Sequence, residues 1–404
     1  MKKLCLALMV LSLLLLSLPV TQAEEIVIPE LNIGAREVPD NEALRFTRSM
    51  GVGWNLGNTL EAYAYKGYNG DELGIEAIWC GTMTTEGVFD ALKAAGMNTV
   101  RIPVSWHDHV DENLVISEAW LERVAEVASW GYERGMHVII NIHHDFSDAK
   151  SDTTWIYPTE ARYADSERYV RAIWQQVAER FRDWDDRLIL ESMNEPRLVG
   201  TSHEWMYVSG DPECEEAMEC INRLNQVFVD TVRATGGYNA TRYLMVPAYD
   251  ASPECAVNPS FRLPEDSEDN RIIVSVHAYT PYDFALNIKG TASFRLTGIA
   301  QTQDIVVFMN RLYDKYVSKG VPVVIGEFGA LRKKTGQVDN VQARVDFTAF
   351  YAATAAARNL PCLLWDNHAF NGSGENFGVL NRRNYTWKYP QIIEAMVRYG
   401  LKTE

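Results

Sequence analysis

The chain has 404 residues, 47% of them apolar and 23% charged, a balance that excludes a disordered or fibrous protein. Its net charge is −16, from 38 basic and 54 acidic residues, and the longest basic run is Arg332-Lys333-Lys334. Nucleic acid and anionic membrane both need a basic face, so neither is an expected partner, whereas a neutral ligand suits an acidic surface.

Lys2 and Lys3 precede an apolar run from Leu4 to Val20, and Thr21-Gln22-Ala23 supplies small residues at the −3 and −1 positions. This pattern predicts a secretory signal over 1–23, cleaved after Ala23, and a secreted or periplasmic protein; the alternative is a membrane anchor. No later apolar stretch approaches the length that spans a bilayer. Residues 24–45 read as a lead-in and 46–404 as one domain. Cys80, Cys214, Cys220, Cys255 and Cys362 follow the signal, too few for a disulfide scaffold. Cys362 lies in an apolar run and reads as a buried thiol. A helix over 214–220 would hold Cys214 and Cys220 too far apart to bridge, leaving Cys255 as the partner of one of them if anything pairs.

Short β-rich runs then alternate with amphipathic stretches along the chain. Val52–Leu56 is followed by a predicted helix over Glu86–Ala95, and Thr99–Val104 by one over Glu118–Arg134, with Ser117 as its N-cap. His137–His143 precedes a helix over Ser166–Trp184, and Leu188–Met193 one over Glu216–Ala234. After Tyr243–Pro247 comes a Pro-rich segment without a long helix. Ile272–His277, Val321–Gly326 and Pro361–Trp365 pair with helices over Gln303–Ser318, Val341–Arg358 and Tyr389–Tyr399. Several helices stop at a residue tolerant of left-handed backbone followed by an apolar one, as at Gly96-Met97 and Gly135-Met136. Eight such units predict an α/β fold, a single-domain (β/α)₈ TIM barrel. A doubly wound dinucleotide fold would want a Gly-rich turn after its first strand, and Gly51-Val52-Gly53 precedes the strand instead.

Barrel chemistry sits where the strands end. Those ends carry Asn58 and Glu61, Arg101, His143-His144-Asp145, Asn194-Glu195, Asp250, His277 and Tyr279, Glu327, and Trp365-Asp366-Asn367. Glu195 closes the fourth strand and Glu327 the seventh, which face each other across a barrel. Two carboxylates across a cleft are the machinery that splits a glycosidic bond. Pro196 holds Glu195 extended. By alternation Glu191 points to the same side as Glu195 and needs a partner, either Arg101 or a histidine. His143 and His144 are adjacent and face opposite sides of a strand, so they do not make a metal pair; no catalytic metal is expected. Trp365 at a strand end can stack on a sugar ring, and Trp106, Trp155 and Trp205 in loops could extend that platform.

These segments resemble the family 5 glycoside hydrolases. The matching runs are Gly53-Trp54-Asn55-Leu56-Gly57-Asn58-Thr59-Leu60-Glu61, Thr99-Val100-Arg101-Ile102-Pro103, Asn141-Ile142-His143-His144-Asp145, Glu191-Ser192-Met193-Asn194-Glu195-Pro196-Arg197, His277-Ala278-Tyr279, Ile325-Gly326-Glu327-Phe328-Gly329 and Trp365-Asp366-Asn367. They fall in order over 45–400, and the first and third look most like subfamily 4, whose members act on cellulose, mixed-linkage glucan and xyloglucan.

The resemblance implies Glu195 as acid/base and Glu327 as nucleophile of a retaining endo-β-1,4-glucanase. Arg101, His144, Asn194, His277 and Tyr279 are implied around the pair, Trp365 as the stacking aromatic, and Asn58, Glu61 and His143 as sugar contacts. Glu195 is expected to hold a proton at the working pH. No cofactor is required, the partner is a polysaccharide such as β-glucan or xyloglucan, and the enzyme is expected to be monomeric. A xyloglucanase or mannanase on the same scaffold is the close alternative. A non-catalytic glycan-binding barrel and a metal-dependent hydrolase are more distant ones.

Overall fold

The computed structural model describes residues 25–297, 299–336 and 338–403; the predicted signal, 1–23, lies outside them. Eight parallel strands close into a barrel: β1 (Val52–Leu56), β2 (Thr99–Ile102), β3 (His137–Asn141), β4 (Leu188–Glu191), β5 (Leu244–Pro247), β6 (Ile272–His277), β7 (Val323–Phe328) and β8 (Cys362–Asp366). Each pairs with its neighbours in sequence, and β8 closes on β1 with Val52 opposite Cys362. The helices are α1 (Glu42–Ser49), α2 (Glu86–Ala94), α3 (Glu118–Glu133), α4 (Tyr163–Arg180), α5 (Pro212–Ala234), α6 (Pro253–Ala256), α7 (Tyr282–Ala285), α8 (Ile299–Lys315), α9 (Val341–Ala356) and α10 (Pro390–Tyr399). This is the (β/α)₈ barrel the alternation predicts, with no long helix between β5 and β6, where a 3₁₀ turn over Tyr249–Ala251 and the four-residue α6 stand instead.

The strands are buried on both faces, which is why they read as continuous apolar runs. Outward residues such as Val100, Ile140, Leu190 and Val274 pack in the large core under the helices. Inward residues Ile139, Ile189, Met245, Ile273, Val324 and Leu363 form a separate apolar layer, against which Ala43 and Phe46 of α1 pack. Two residues further along, the same inward positions become Asn141, Glu191, Ser275 and Trp365. The barrel is therefore apolar at its base and polar at its mouth.

The boundaries differ from expectation where local chemistry intervenes. β2 stops at Ile102 because Pro103 has no N–H for the ladder. α5 starts at Pro212, a turn earlier than predicted: Asp211 caps it, accepting from the N–H groups of Glu213 and Cys214 at 2.9 and 3.2 Å. Ser117 stands at the N-cap of α3, but its hydroxyl donates to Glu72 Oε2 at 2.7 Å rather than accepting from the helix. α1 begins within the expected lead-in, and the stretch before it runs over α9 and α10, with Leu31 N–H donating to Tyr399 Oη and Arg36 N–H to Ala357 O. All five described cysteines are free.

Candidate active site

Arg101 organises the mouth. It is fully buried and donates from Nε to Glu191 Oε2 at 2.6 Å, from Nη1 to Glu327 Oε1 at 2.7 Å and Asn55 Oδ1 at 3.0 Å, and from Nη2 to Asn194 Oδ1 at 2.8 Å. Ser275 Oγ donates to the other Glu191 oxygen at 2.6 Å. Glu191 thus finds the predicted arginine. Burial works against the Arg101 charge, but Glu191 and Glu327 outweigh it and hold the guanidinium protonated. The resemblance implies Arg101 around the two glutamates; with its donors spent on four protein acceptors, it positions Glu327 and Asn194.

Glu327 owes its aim to a defect in its strand. Across β7 and β8, Ile325 lies opposite Cys362 but Phe328 opposite Leu364, so β7 carries one extra residue. Val324 faces inward and strict alternation would turn Glu327 outward; the bulge returns it to the cleft. Gly326 sits at this point, and a Cβ there would stand 3.1 Å from His277 Nε2 and 3.3 Å from Met245 Cε. Tyr279 Oη donates to Glu327 Oε2 at 2.8 Å. Burial, then the Glu327 charge, push that phenol well above its usual range, so it remains a donor.

Glu195 lies across the cleft, its side chain 17% exposed, with Oε1 2.8 Å from His277 Nδ1 and Oε2 3.8 Å from Arg197 Nη1. His277 Nδ1 is also 3.7 Å from Glu327 Oε1, and the nearest oxygens of Glu195 and Glu327 lie within 4.8 Å of each other. Burial raises the Glu195 carboxyl, but the bond to His277 and the charges of His277, Arg197 and Arg101 bring it below its ordinary value. Burial lowers His277, and the charges of Glu327 and Glu195 lift it above its own. Around the 2.8 Å contact the surrounding charges thus favour the ionised form of Glu195 and the protonated form of His277.

His143 and His144 are both neutral, chiefly through burial, which brings His144 to about 4. The His143 ring lies parallel to Trp365 at 5.9 Å. Trp365 presses on the turn after β1, where a Cβ on Gly57 would stand 2.8 Å from its Cζ2. His144 meets exposed Trp79 edge-on at 5.5 Å and Tyr63 at 6.0 Å. Asn58 takes a φ of 57° in the β1 turn. Glu61, expected to contact sugar, is fully buried and accepts from the N–H groups of Asn58 and Thr59. It shapes the turn, and burial pushes its carboxyl up to about 7.

Of the loop tryptophans, Trp106 is buried and donates to Asn141 O, so it is packing. Trp155 is half-buried beside Tyr169. Trp205 is 62% exposed and lies over the Arg197 guanidinium at 3.8 Å. Sequence reasoning gives no role to Asn55, Ser275, Arg197, Tyr63 or Trp79, although Asn55 and Arg197 stand in the matching runs. The inward period of β1 and β6 carried the signal for the first two; loop residues have no such period.

The family model described as Cellulase (glycosyl hydrolase family 5) matches residues 62–371. Endoglucanase B of Ruminococcus albus is 40% identical over 354 residues, 87% of this chain and 79% of that protein. Among solved structures, a GH5 family lichenase from Caldicellulosiruptor sp. F32 is 49% identical with a TM-score of 0.89, covering 93% of this chain and 100% of that one. A GH5-4 broad specificity endoglucanase from Ruminococcus champanellensis with bound cellotriose is 42% identical with a TM-score of 0.80, covering 90% and 100%. A closed barrel with two carboxylates facing across its mouth is what that likeness requires, and the chain belongs to glycosyl hydrolase family 5.

Proposed function

We propose that the protein is a secreted endo-β-1,4-glucanase that acts by double displacement with retention of configuration. The observation that carries this reading is the approach of the Glu195 and Glu327 oxygens to within 4.8 Å. Carboxyl groups about 5–5.5 Å apart admit the anomeric carbon but no attacking water, whereas inverting enzymes need about 6.5–9.5 Å. Glu327, held at both oxygens by Arg101 and Tyr279, attacks the anomeric carbon. The glycosidic C–O bond breaks as Glu195 protonates the departing oxygen. A water then releases the sugar from Glu327, giving its proton to Glu195.

The His277 pair supports the double role of Glu195. A sugar chain in the cleft strips the remaining water from Glu195, which disfavours its charge and favours the protonated acid, with His277 Nδ1 2.8 Å away as its hydrogen-bond partner. Once Glu327 becomes an ester its negative charge is gone, Glu195 loses a repelling neighbour, and it acts as base. Exposed aromatics flank the residues around the pair, Tyr63 and Trp79 beside His144 and Trp205 over Arg197. A chain running past both flanks suits attack on internal bonds. The endoglucanase and lichenase relatives support a β-1,4-linked glucan, mixed-linkage chains included. The apolar run and small residues before Glu24 support export, checked by mass spectrometry of the exported chain, where an intact Met1 would refute cleavage.

Proton NMR of the earliest product tests the mechanism. The β-anomer is expected before mutarotation; an initial α-anomer would overturn the assignment of Glu327 as nucleophile.

A further inference from the structure

Among the described residues, the ring of His203 makes no hydrogen bond. Its side chain is 17% exposed, Nδ1 is buried with no partner, and Nε2 lies 3.8 Å from Asp211 Oδ1 and 4.0 Å from Glu213 Oε2. Both distances are too long for hydrogen bonds. A buried ring nitrogen left without a partner calls for an explanation. A ring nitrogen of His203, a carboxylate oxygen of Asp211 and Cys214 Sγ all lie within 4.8 Å of one another. The three come from two elements: His203 and Asp211 from the loop over 196–211, Cys214 from the first turn of α5. Each is already fixed. The His203 carbonyl accepts from Tyr249 Oη at 2.7 Å, Asp211 caps α5, and Cys214 Sγ accepts from Val208 N–H at 3.3 Å.

We propose that His203, Asp211 and Cys214 form a structural site for a zinc-class divalent cation that fastens the 196–211 loop to the start of α5. The donor set selects the metal: imidazole and thiolate suit zinc and its neighbours, and exclude calcium and magnesium, which want oxygen alone. Ligand bonds of about 2.0–2.3 Å require the three groups to draw together by about 1 Å, a change within side-chain rotation. Water or the exposed Glu213 carboxylate completes a tetrahedron. Binding replaces the Cys214 S–H bond with a metal–sulfur bond and releases the proton to solvent, so affinity rises with pH. The loop so fastened carries Arg197, 3.8 Å from Glu195, and Trp205, which lies against Arg197. The ion takes no part in bond cleavage.

The test strips the exported protein with chelator, then adds Zn²⁺ or Co²⁺ alone. One equivalent of zinc should survive desalting. Cobalt should give a thiolate-to-metal charge-transfer band, and the thermal midpoint should climb with zinc concentration. Cys214→Ser should abolish the band, and His203→Gln should weaken zinc binding by at least about 10-fold. Metal-free midpoints of both variants should match the metal-free parent, which separates lost ligation from misfolding. The proposal falls if the parent retains no zinc, or if both variants bind zinc as the parent does. It also falls if the band survives Cys214→Ser and vanishes in Glu327→Gln, which would put the ion on Glu195, His277 and Glu327.

Discussion

Replacing Arg101 by glutamine should cost both stability and activity, through different partners. Arg101 and Glu191 are each fully buried and 2.6 Å apart. Gln cannot match a guanidinium that serves Glu191, Glu327, Asn55 and Asn194 at once. Stranding a buried charge in this way costs about 3–5 kcal/mol, which in a chain of this size lowers Tm by about 4–6 °C. Glu191 is the stranded group, because among the described residues Ser275 is its one remaining side-chain donor. Glu191→Gln in the Arg101→Gln background should therefore recover about 2 kcal/mol. Activity should not follow: Glu327 and Asn194 still lack their donor, and kcat should stay down by about 10²–10³, the usual cost of one lost donor at a reacting centre. Denaturant unfolding of the parent, both single variants and the double variant, with kcat on a soluble glucan, completes the cycle. Additive single effects, or a loss below about 1 kcal/mol for Arg101→Gln, would refute the stranded-charge argument.

Glu195→Ala should abolish hydrolysis of glucan chains yet leave the first step on aryl cellobiosides with good leaving groups, which need no proton; equal loss on both would remove Glu195 as the acid. Trp365→Ala should reduce kcat/KM by about 1–3 kcal/mol, by analogy with other ring stacking, or roughly 5–150-fold; a change under twofold would argue against stacking on the sugar. His137, at the base of the barrel, is brought to about 4 by burial, against an unfolded value near 6.5. The unfolded chain binds that proton first, so stability is lost as pH falls from about 6.5 towards 4. His137→Gln should remove about 3 kcal/mol of that acid loss, read from unfolding curves across the window; an unchanged pH dependence would refute the assignment.

The barrel was legible because its strands are covered on both faces and its helices on one. β1 and β6 match the predicted runs residue for residue, and the other strands shift by one or two. The errors have identifiable chemistry. Pro103 ended a run that hydropathy alone would continue, and Asp211-Pro212 was a cap signal overshadowed by the charged turn behind it.

The site was legible as a set of residue types at strand ends, and less so as a set of roles. Arg101 and Glu61 stand in matching segments, yet one is enclosed by acceptors and the other by the backbone of its own turn. Sequence position identifies such residues without telling a group that touches substrate from one that holds its neighbour. Glu327 is the sharper case. A period of two, carried up β7 from Val324, assigns it to the helix side of the sheet. Its real direction comes from one extra residue at Gly326, where β7 slips against β8 and His277 and Met245 crowd the backbone. A strand pattern records the average pleat, and the bulge is a departure from that average set by contacts between strands. The carboxylate that the proposed chemistry most depends on therefore sits where one-dimensional periodicity is least able to aim it.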